Sequence, residues 1–347
     1  MVNIFGLDIE EIKEAISKLN IPSYRSKQIA DWMYKKGKNS FYDMTNLPKN
    51  LQSTLATEFE ISPPTLTQRL DSKYGDTSKF LLSFDENTAV ETVLMRKKYG
   101  NSVCVSTQAG CNMGCAFCAS TLLGLSRNLT ATEMFGEVYY VENELRKEGI
   151  SVTNLVLMGS GEPLMNYDEV IKFLRLIHDE NIMGIGYRNI TLSTSGIVPN
   201  IYRLIEENLP ITLSISLHAP NDELRTKLMP INKKYPLKDV VEAGQLYAER
   251  TKRRLTYEYI LIDGINDEKN HAVELSELLR GQLANVNLIP INPVKERNFY
   301  RPSKEKIAAF LNYLLKSNIS ATVRKEMGKD VNAACGQLRN RYLEEGN

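Results

Sequence analysis

The sequence predicts an α/β fold in which parallel strands are joined by crossover helices. From Ser102 onward, short apolar runs alternate with segments of helical periodicity, and this alternation is typical of parallel sheets. Several apolar runs are followed by glycine, serine, histidine or asparagine, and functional sites of α/β proteins lie at such strand ends. The pattern fits either a barrel or a doubly wound sheet.

The composition is that of a folded protein with almost no net charge. The chain has 347 residues, of which 42% are hydrophobic and 24% charged, with 43 Lys and Arg against 42 Asp and Glu. This balance excludes an intrinsically disordered chain, and it excludes a polycation that binds nucleic acid through bulk charge. The length accommodates one barrel-sized domain with a smaller companion. Any basic surface must therefore be local.

Residues 1–62 are predicted to form short helices. Apolar side chains recur at helical spacing at Leu7, Ile9, Ile12, Ile16 and Leu19. A second amphipathic segment runs from Ser26 to Tyr34. Residues 17–50 contain seven Lys and Arg but only two Asp. This local excess indicates either a solvated helical face or a surface that faces RNA.

Residues 63–97 are predicted to form a small antiparallel sheet. Its strands are Thr65–Leu70, Lys79–Ser83 and Ala89–Met95. The segments between them, Lys73–Asp76 and Asp85–Asn87, contain Gly, Asn and Asp, which are favoured in tight turns.

Residues 98–328 are predicted to contain the parallel strands and their helices. The predicted strands are Val152–Met158, Asn189–Leu192, Ile211–Ile215, Thr256–Ile262, Val286–Ile289 and Ala321–Arg324. The predicted helices are Asp168–Asp179, Val198–Glu206, Leu237–Arg250, Glu268–Leu283 and Lys304–Leu315.

Four of these strands end in segments that suggest a binding site. The segments are Gly159–Pro163, Ser193–Gly196, Ser216–Pro220 and Asn292–Pro293. Each of them alone also fits an ordinary strand end. Because the carboxyl ends of parallel strands meet at one edge of a sheet, we expect the four segments to share one site.

The sequence predicts neither a signal peptide nor a membrane span. Charged residues occur throughout the first twenty positions, including Asp8, Glu10, Glu11, Lys13 and Glu14. The longest stretch without Asp, Glu, Lys or Arg, from Tyr99 to Ser126, is rich in Gly, Ser, Asn and Gln. We therefore expect a cytoplasmic protein, in which stable disulfides are rare.

The five cysteines point to an iron–sulfur cluster. Cys111, Cys115 and Cys118 form a C-x3-C-x2-C pattern after a strand. Three thiolates from one loop can bind three irons of a 4Fe–4S cluster and leave the fourth iron open. A structural zinc site needs a fourth ligand, which no neighbouring Cys or His pair supplies. A core helix carrying these cysteines would be weakened by Gly110 and Gly114, by about 1 kcal/mol per glycine.

This cysteine spacing resembles the signature of the radical S-adenosylmethionine (SAM) superfamily, in which SAM binds the open iron and is cleaved to a 5′-deoxyadenosyl radical. The chain is similar over nearly its whole length to the RNA adenine methyltransferases of that superfamily, in particular to those that act on carbon 2. The matching segments are 101–106, the cysteine loop, 124–129, 158–164, 192–196, 214–222, 229–235, 287–293 and 330–338.

The resemblance implies a fold and a domain organisation. Residues 98–328 would form a partial (β/α)6 barrel, preceded by a helical RNA-recognition domain (1–62) and a small β extension (63–97). Residues 329–347 would form a C-terminal segment that carries a methyl-bearing cysteine, Cys335.

The resemblance also assigns the cofactor site. Cys111, Cys115 and Cys118 match the cluster ligands, and Gly161 and Glu162 match residues that bind the methionyl amino group of SAM. The positions that line the rest of the SAM pocket match Ser193, Ser216, Leu217, His218 and Asn292. Taken alone, Glu162 would be an acid at a helix start before Pro163, and His218 would be a hydrogen-bonded structural histidine.

In the family, three further residues carry the methyl transfer. Cys335 matches the cysteine that accepts a methyl group from a first SAM and, after hydrogen abstraction by the radical from a second, adds its methylene to the adenine. Cys104 matches the cysteine that releases the product through a transient disulfide with Cys335, and Glu91 matches the proton acceptor. Without the resemblance, Cys335 would be an inert small residue, Cys104 a buried strand cysteine, and Glu91 part of a strand's solvent face.

The resemblance implies partners as well as residues. They are 23S rRNA and tRNA, with an electron donor such as flavodoxin or ferredoxin, and we expect a monomer that binds no membrane. One alternative is the related family that methylates carbon 8 of the rRNA adenosine and confers antibiotic resistance. The segments Gly161–Leu164 and Ser193–Gly196 favour carbon 2, whereas Gly110–Cys115 and Arg225–Pro230 are similar to the carbon-8 branch. A second alternative is a metal-binding RNA-binding module without enzymatic activity.

Overall fold

A computed structural model describes residues 1–333 and 337 of the chain. Its strands are β1 (Val2–Asn3), β2 (Phe59–Glu60), β3 (Thr65–Asp71), β4 (Thr77–Asp85), β5 (Thr88–Lys97), β6 (Gly100–Cys104), β7 (Gln108–Gly110), β8 (Leu125–Asn128), β9 (Val152–Leu157), β10 (Ile190–Thr194), β11 (Thr212–Ser216), β12 (Leu255–Leu261), β13 (Ala284–Pro290) and β14 (Ala321–Val323). Its α-helices are α1 (Ile9–Ser17), α2 (Arg25–Ala30), α3 (Lys49–Glu58), α4 (Ala131–Arg146), α5 (Tyr167–His178), α6 (Val198–Glu206), α7 (Asp222–Leu228), α8 (Leu237–Thr251), α9 (Lys269–Leu278) and α10 (Lys304–Lys316).

One ten-stranded sheet organises the molecule. Its strand order is β14-β13-β12-β11-β10-β9-β6-β5-β4-β3. The seven strands from β14 to β6 pair in parallel and are connected by helices. Six strand–helix units, from β6–α4 to β13–α10, are followed by β14. In the described part of the chain the sheet stays open between β14 and β3, which is the arrangement of a partial barrel. The predicted α/β fold is confirmed.

The three antiparallel strands continue the barrel sheet instead of forming a separate one. β3, β4 and β5 occur where the alternation and the turn residues predict them. β5 also pairs antiparallel with β6, the first barrel strand, with Val93 opposite Cys104 and Lys97 opposite Gly100. This pairing extends the sheet beyond the barrel and brings β4 and β5 beside the first parallel strand.

The N-terminal helices pack on α4 through an aromatic cluster. Phe5 lies 5.5 Å from Phe135 and 5.0 Å from Tyr139, measured between ring centroids, and Tyr34 meets Phe135 edge-on at 5.2 Å. The Tyr139 hydroxyl donates to the Met33 carbonyl at 3.1 Å. One apolar core continues from these helices into the barrel. The predicted domain boundary near residue 62 therefore does not separate two cores, since apolar residues on both sides of it pack in the same core.

Three helices of the barrel region differ from the sequence prediction: α9 in its length, and α4 and α7 because neither was predicted. α9 ends at Leu278, before the predicted Leu283, because the chain then turns through Gly281, whose φ of 78° does not continue a right-handed helix. α4, the longest helix, was not predicted. Its N-terminal signal is a capping box in which Thr130 and Glu133 bond to each other's backbone N–H.

None of the helices in residues 1–333 combines the length and the apolar character needed to cross a bilayer.

The aromatic cluster predicts a stability effect. Phe5 is 2% exposed, so Phe5→Ala should lower the free energy of unfolding by about 3–5 kcal/mol through lost burial and a residual cavity. Urea unfolding followed by circular dichroism measures this change. The control is Tyr42→Ala in the same N-terminal part, where the ring is 62% exposed and the expected change is within about 0.5 kcal/mol. Equal losses in both variants would contradict the packing role of Phe5.

Candidate active site

One cavity lies at the carboxyl ends of β9, β10 and β11. It contains most of the residues that the resemblance assigns to the cofactors, namely Cys111, Cys115, Cys118, Gly161, Glu162, Ser193, Ser216 and His218. Leu217 is fully buried behind this wall, and Asn292 faces an adjoining cavity. Thr194, within the predicted Ser193–Gly196 segment, also lines the first cavity, as does Glu258, which the sequence analysis did not select.

The cysteine loop is closed by a short hairpin. β7 and β8 pair antiparallel on either side of the loop, and the N–H of Cys111 donates to the Gly124 carbonyl at 3.0 Å. At Gly110 φ is 80°, and a Cβ there would lie 1.9 Å from the Gly124 oxygen. Only glycine fits this position, so the residue before the first cysteine is required by the loop's geometry.

The loop is also tied to the barrel by backbone hydrogen bonds. The N–H of Ala116 donates to the Leu228 carbonyl of α7 at 2.9 Å. The Thr121 hydroxyl donates to the carbonyls of Cys115 and Cys118, at 3.2 and 2.9 Å. These bonds fix the chain around the thiols without any contribution from a bound metal.

The three thiols fit a cationic cluster. Burial raises the pKa of Cys111 to about 12 and raises the pKa of Cys115 well above its usual value, and the neighbouring thiols raise both further. Thiolates so close together need positive charge between them, which iron supplies. No group of three His, Cys, Asp or Glu among the described residues is arranged to bind a single metal ion. A 4Fe–4S cluster needs no such group, because each of its cysteines binds a different iron.

Glu162 is held in the cavity wall by three neighbours. Its Oε1 accepts from the Leu164 N–H at 3.0 Å and from the Thr194 hydroxyl at 2.7 Å, and its Oε2 accepts from the Ser195 N–H at 2.6 Å. Burial raises the pKa of this carboxyl, and the hydrogen bonds act against the rise. The residue thus caps the 3-10 turn Pro163–Asn166, as a helix-start acid does, and it also lines the cavity.

Gly161 lets the segment after β9 lie directly on Gln108. Its φ is 105°, and a Cβ there would lie 2.6 Å from the Gln108 Cβ. The Gln108 Oε1 accepts from the Glu162 N–H at 2.8 Å, and its Nε2 donates to Asn128 at 2.7 Å. Gln108, which the sequence analysis did not select, therefore connects the β7–β8 hairpin to the Gly161–Glu162 turn.

His218 presents one ring nitrogen to the cavity. Its Nδ1 accepts from the Ile260 N–H at 3.0 Å, and its ring meets Phe117 edge-on at 4.9 Å. Burial lowers the pKa of the imidazole to about 3, with the Arg225 charge as a smaller cause. The neutral ring must then carry its proton on Nε2, as a fixed donor. Its φ of 62° is unusual for a residue with a side chain and is typical of functional sites.

Arg225 holds two of the strand-end segments together, Ser193–Gly196 and Ser216–Pro220. Its side chain is fully buried and donates to the carbonyls of Ser195 (2.7 Å), Ser216 (3.2 Å) and Leu217 (3.2 Å). A further bond at 2.9 Å reaches Asn232. Burial lowers the pKa of this guanidinium to about 10. Because its partners lie far apart in the sequence, periodicity could not have identified its role.

A second cavity adjoins the first and contains the cysteine that the family uses for release. The two cavities share Met158, Ile289 and Arg324, and the second is also lined by Cys104 and Ala333. Cys104 and Ala333 belong to one small apolar cluster. No disulfide joins any two of Cys104, Cys111, Cys115 and Cys118.

Glu91 is buried, so its assignment to a strand's solvent face is wrong. It is 3% exposed, and its Oε1 lies 2.8 Å from the Nζ of Lys79, which is equally buried. The register places Lys79 opposite Val93, and Val93 opposite Cys104. Side chains two apart on a strand share a face, so Lys79, Glu91 and Cys104 lie on one side of the sheet.

Cys335 lies outside the described residues, but its described neighbours contact this region. The Nζ of Lys79 donates to the Asn332 carbonyl at 3.3 Å, and Ala333 packs in the cluster with Cys104. The Gln337 side chain donates to the Pro293 carbonyl at 3.1 Å. Lys79 is a residue that the sequence analysis missed; its only sequence signal is a lysine within an apolar strand.

Comparisons with known proteins agree with this geometry. The family model described as "Radical SAM superfamily" matches residues 105–275. The family model described as "Ribosomal RNA large subunit methyltransferase N-terminal domain" matches residues 2–61.

Relatives match over nearly the whole chain. A probable dual-specificity RNA methyltransferase RlmN of Clostridium acetobutylicum is 48% identical and covers 99% of both chains. The protein of the same name from Symbiobacterium thermophilum is 51% identical over 97% of this chain and 91% of its own. The crystal structure of a radical SAM methyltransferase from Sphaerobacter thermophilus matches with a TM-score of 0.94 and 44% identity, over 98% of this chain and 100% of that one. The chain therefore belongs to the RlmN family of radical SAM methyltransferases.

Proposed function

We propose that the protein methylates carbon 2 of an adenosine in 23S rRNA and in tRNA. The relatives are named dual-specificity RNA methyltransferases, and the N-terminal match is to a large-subunit rRNA methyltransferase domain. The observation that carries the proposal is the adjacency of two cavities. One contains the three-cysteine loop and the Glu162 turn, and the other contains Cys104 beside the segment that leads to Cys335.

The first cavity supplies the cofactor-binding groups. When bound, the 4Fe–4S cluster and SAM supply an electron, a 5′-deoxyadenosyl radical and a methyl group. Cys111, Cys115 and Cys118 would hold the cluster. The Glu162 carboxylate keeps acceptor capacity on Oε2 for an ammonium group, and charge-assisted bonds of this kind are strong.

The remaining cofactor-binding residues act through fixed donors and backbone. His218 offers an Nε2–H, and Ser193 and Ser216 offer hydroxyls. Leu217 supports the wall of the cavity, since its N–H donates to the Glu258 carbonyl and its own carbonyl accepts from Arg225. Asn292 lies in the adjoining cavity, where it would face the other end of the cofactor.

The second cavity contains Cys104, and we assign the other two groups of the methyl transfer to Cys335 and Glu91. Cys335 would accept the methyl group on sulfur. After this methyl group loses one hydrogen atom to the SAM-derived radical, its carbon would bond to the adenine carbon, which joins protein and RNA covalently. Restoring the aromatic ring would release one proton, which Glu91 would accept, and one electron, equal to the one supplied at the start. Cys104 would then attack the Cys335 sulfur, forming a sulfur–sulfur bond while the sulfur–carbon bond breaks, and the released carbon takes a proton to become the methyl group. An external thiol or reductase must afterwards reduce this disulfide.

The cellular setting follows from this chemistry. We propose a cytoplasmic monomer that receives its electron from flavodoxin or ferredoxin. The proposed disulfide between Cys104 and Cys335 must be reduced to two thiols after each turnover, which requires a reducing compartment.

Nucleoside analysis tests the proposed function directly. The anaerobically reconstituted protein, given SAM, a reductant and unmodified 23S rRNA or tRNA, should yield 2-methyladenosine by mass spectrometry of the digested RNA. Cys335→Ala should yield none, since it lacks the methyl-accepting sulfur. Appearance of 8-methyladenosine would instead favour the carbon-8 activity, and methylation by Cys335→Ala would contradict the methylcysteine route.

Cys104→Ala should trap the enzyme on its substrate. Without the releasing thiol, the Cys335 sulfur stays bonded to the RNA, so a protein–RNA adduct that survives denaturing electrophoresis should accumulate. Cys104 is 6% exposed, and alanine fills most of its volume, so folding should be retained. The double variant Cys104→Ala/Cys335→Ala is the control and should form no adduct. Normal turnover by Cys104→Ala would overturn the releasing role.

The Lys79–Glu91 pair predicts a coupled effect on stability. Lys79→Met leaves the Glu91 carboxylate buried without its cation, which should lower the free energy of unfolding by about 3–5 kcal/mol. Lys79→Met/Glu91→Gln removes both charges and should recover part of that loss, as measured by urea unfolding. The double variant should still fail to produce methylated RNA because it lacks the base. Additive stability losses would show that the two side chains are not coupled.

A further inference from the structure

The second cavity is large enough for a ligand of its own. Its volume is about 560 Å³, within the range of about 300–1,000 Å³ typical of small-molecule sites. It opens beside Cys104 and Ala333 and shares Met158, Ile289 and Arg324 with the cofactor cavity. A group bound there would therefore lie between the thiols and the cofactors.

The interior of this cavity is apolar and suits a flat aromatic ring. It is lined by Met95, Met158, Ile289, Pro290 and Met327. Methionine side chains are flexible and polarisable, and they make favourable contacts with aromatic rings. A nucleobase offers such a ring, whereas a base inside a helix cannot reach an enclosed site unless it leaves the stack.

The rim of the cavity carries a local excess of positive charge. Five cations line it, Arg96, Lys97, Lys98, Arg324 and Lys325, together with two carboxylates, Asp76 and Glu326. Arg96 is paired with Glu148 at 2.6 Å, and Glu326 is paired with Arg301. In residues 1–333, no ion pair involves Lys97, Lys98 or Lys325 within 4 Å. These three lysines are available for an external anion.

An exposed aromatic side chain stands among these lysines. Tyr99, in the turn between β5 and β6, is 74% exposed, and the Lys97 ammonium lies 5.5 Å from its ring centroid. Cations that follow a phosphate backbone, combined with an aromatic ring on which a base stacks, are characteristic of surfaces that bind single-stranded nucleic acid.

We propose that the β5–β6 turn, Lys97–Tyr99, together with Lys325, binds the backbone of the substrate RNA while the adjoining cavity receives the unstacked target base. The proposal rests on the proposed function for the identity of the RNA, and it adds the residues that bind it. The phosphates contact the lysines, Tyr99 stacks on a neighbouring base, and the target adenine lies on the methionine-lined wall beside Cys104.

The test compares two variants with the same change in charge. Lys97→Gln/Lys98→Gln alters the proposed surface. Lys252→Gln/Lys316→Gln alters exposed lysines at the carboxyl ends of α8 and α10, where helices return to the opposite edge of the sheet. Binding of unmodified 23S rRNA by the reconstituted proteins is measured at salt concentrations from roughly 50 to 300 mM. Affinity that comes from phosphate contacts falls steeply over this range.

The surface variant should bind RNA roughly tenfold more weakly, with the slope of log affinity against log salt reduced by about 1–2. The Lys252→Gln/Lys316→Gln variant should match the wild type. Tyr99→Ala should lose affinity, roughly 5-fold or more, without a change in slope, because stacking is not ionic. Unchanged affinity and slope in the surface variant, or equal losses in both lysine variants, would overturn the proposal.

A second readout separates this proposal from the proposed function. Methyl transfer from SAM to Cys335 needs no RNA, so peptide mass spectrometry without RNA should find Cys335 methylated in the surface variant as in the wild type. Loss of that methylation would show damage to the cofactor site and would overturn the assignment of these lysines to RNA alone. If the wild type binds RNA through this surface but methylates none, the proposed function fails and the binding surface stands.

Discussion

The antiparallel pairing of β5 with β6 is the constraint on which the rest of the site depends. It joins a three-stranded extension to the first barrel strand and puts Val93 opposite Cys104. This register places Lys79 and Glu91 on the same face of the sheet as Cys104, the face that Asn332 and Ala333 contact. The turn of the same hairpin carries Tyr99 to the cavity rim. Because a slip of one residue would reverse every side chain on β5, the relative positions of Glu91, Cys104 and Tyr99 are fixed by one ladder of hydrogen bonds.

Arg225 has the corresponding role at the cofactor end. A buried guanidinium is costly unless its donors are bonded, and this one donates to the carbonyls of Ser195, Ser216 and Leu217 and to Asn232. None of these partners is a carboxylate, so the positive charge of Arg225 is not neutralised by them. It therefore acts on the cysteine loop, where burial raises the pKa of Cys115 and the Arg225 charge partly opposes that larger effect. The price of its burial is offset by the order that it imposes on the ends of β10 and β11. A lysine could not form this many bonds in fixed directions.

The sequence was sufficient for features whose information is local. Alternating and helical periodicities located β3, β4, β5 and most of the barrel, and the cysteine loop is a contiguous motif. Glu162 was assigned through the resemblance, because only its bond from Leu164 is local, whereas its bonds from Thr194 and Ser195 cross to another strand end. Glu91 was different, since strand alternation defines two faces without saying which is buried, and only the pairing with β4 and β6 decides this. Lys79 and Arg225 escaped detection because their partners, Asn332 and Ser195 among them, are distant in the chain.

Near-neutral net charge and RNA binding are compatible in this molecule because charge is distributed unevenly at short range. At physiological salt, charges farther apart than about 8 Å are largely screened, so the total of +1 has little influence on a phosphate at the cavity. What acts there is the set of cations within one screening length. At the rim, Arg96 is paired with Glu148 and the carboxylate of Glu326 is paired with Arg301, while Lys97, Lys98 and Lys325 contribute positive charge. Because the protein as a whole attracts RNA only weakly, firm binding at the proposed rim requires that the cavity also accept the target base. This requirement favours discrimination between RNAs.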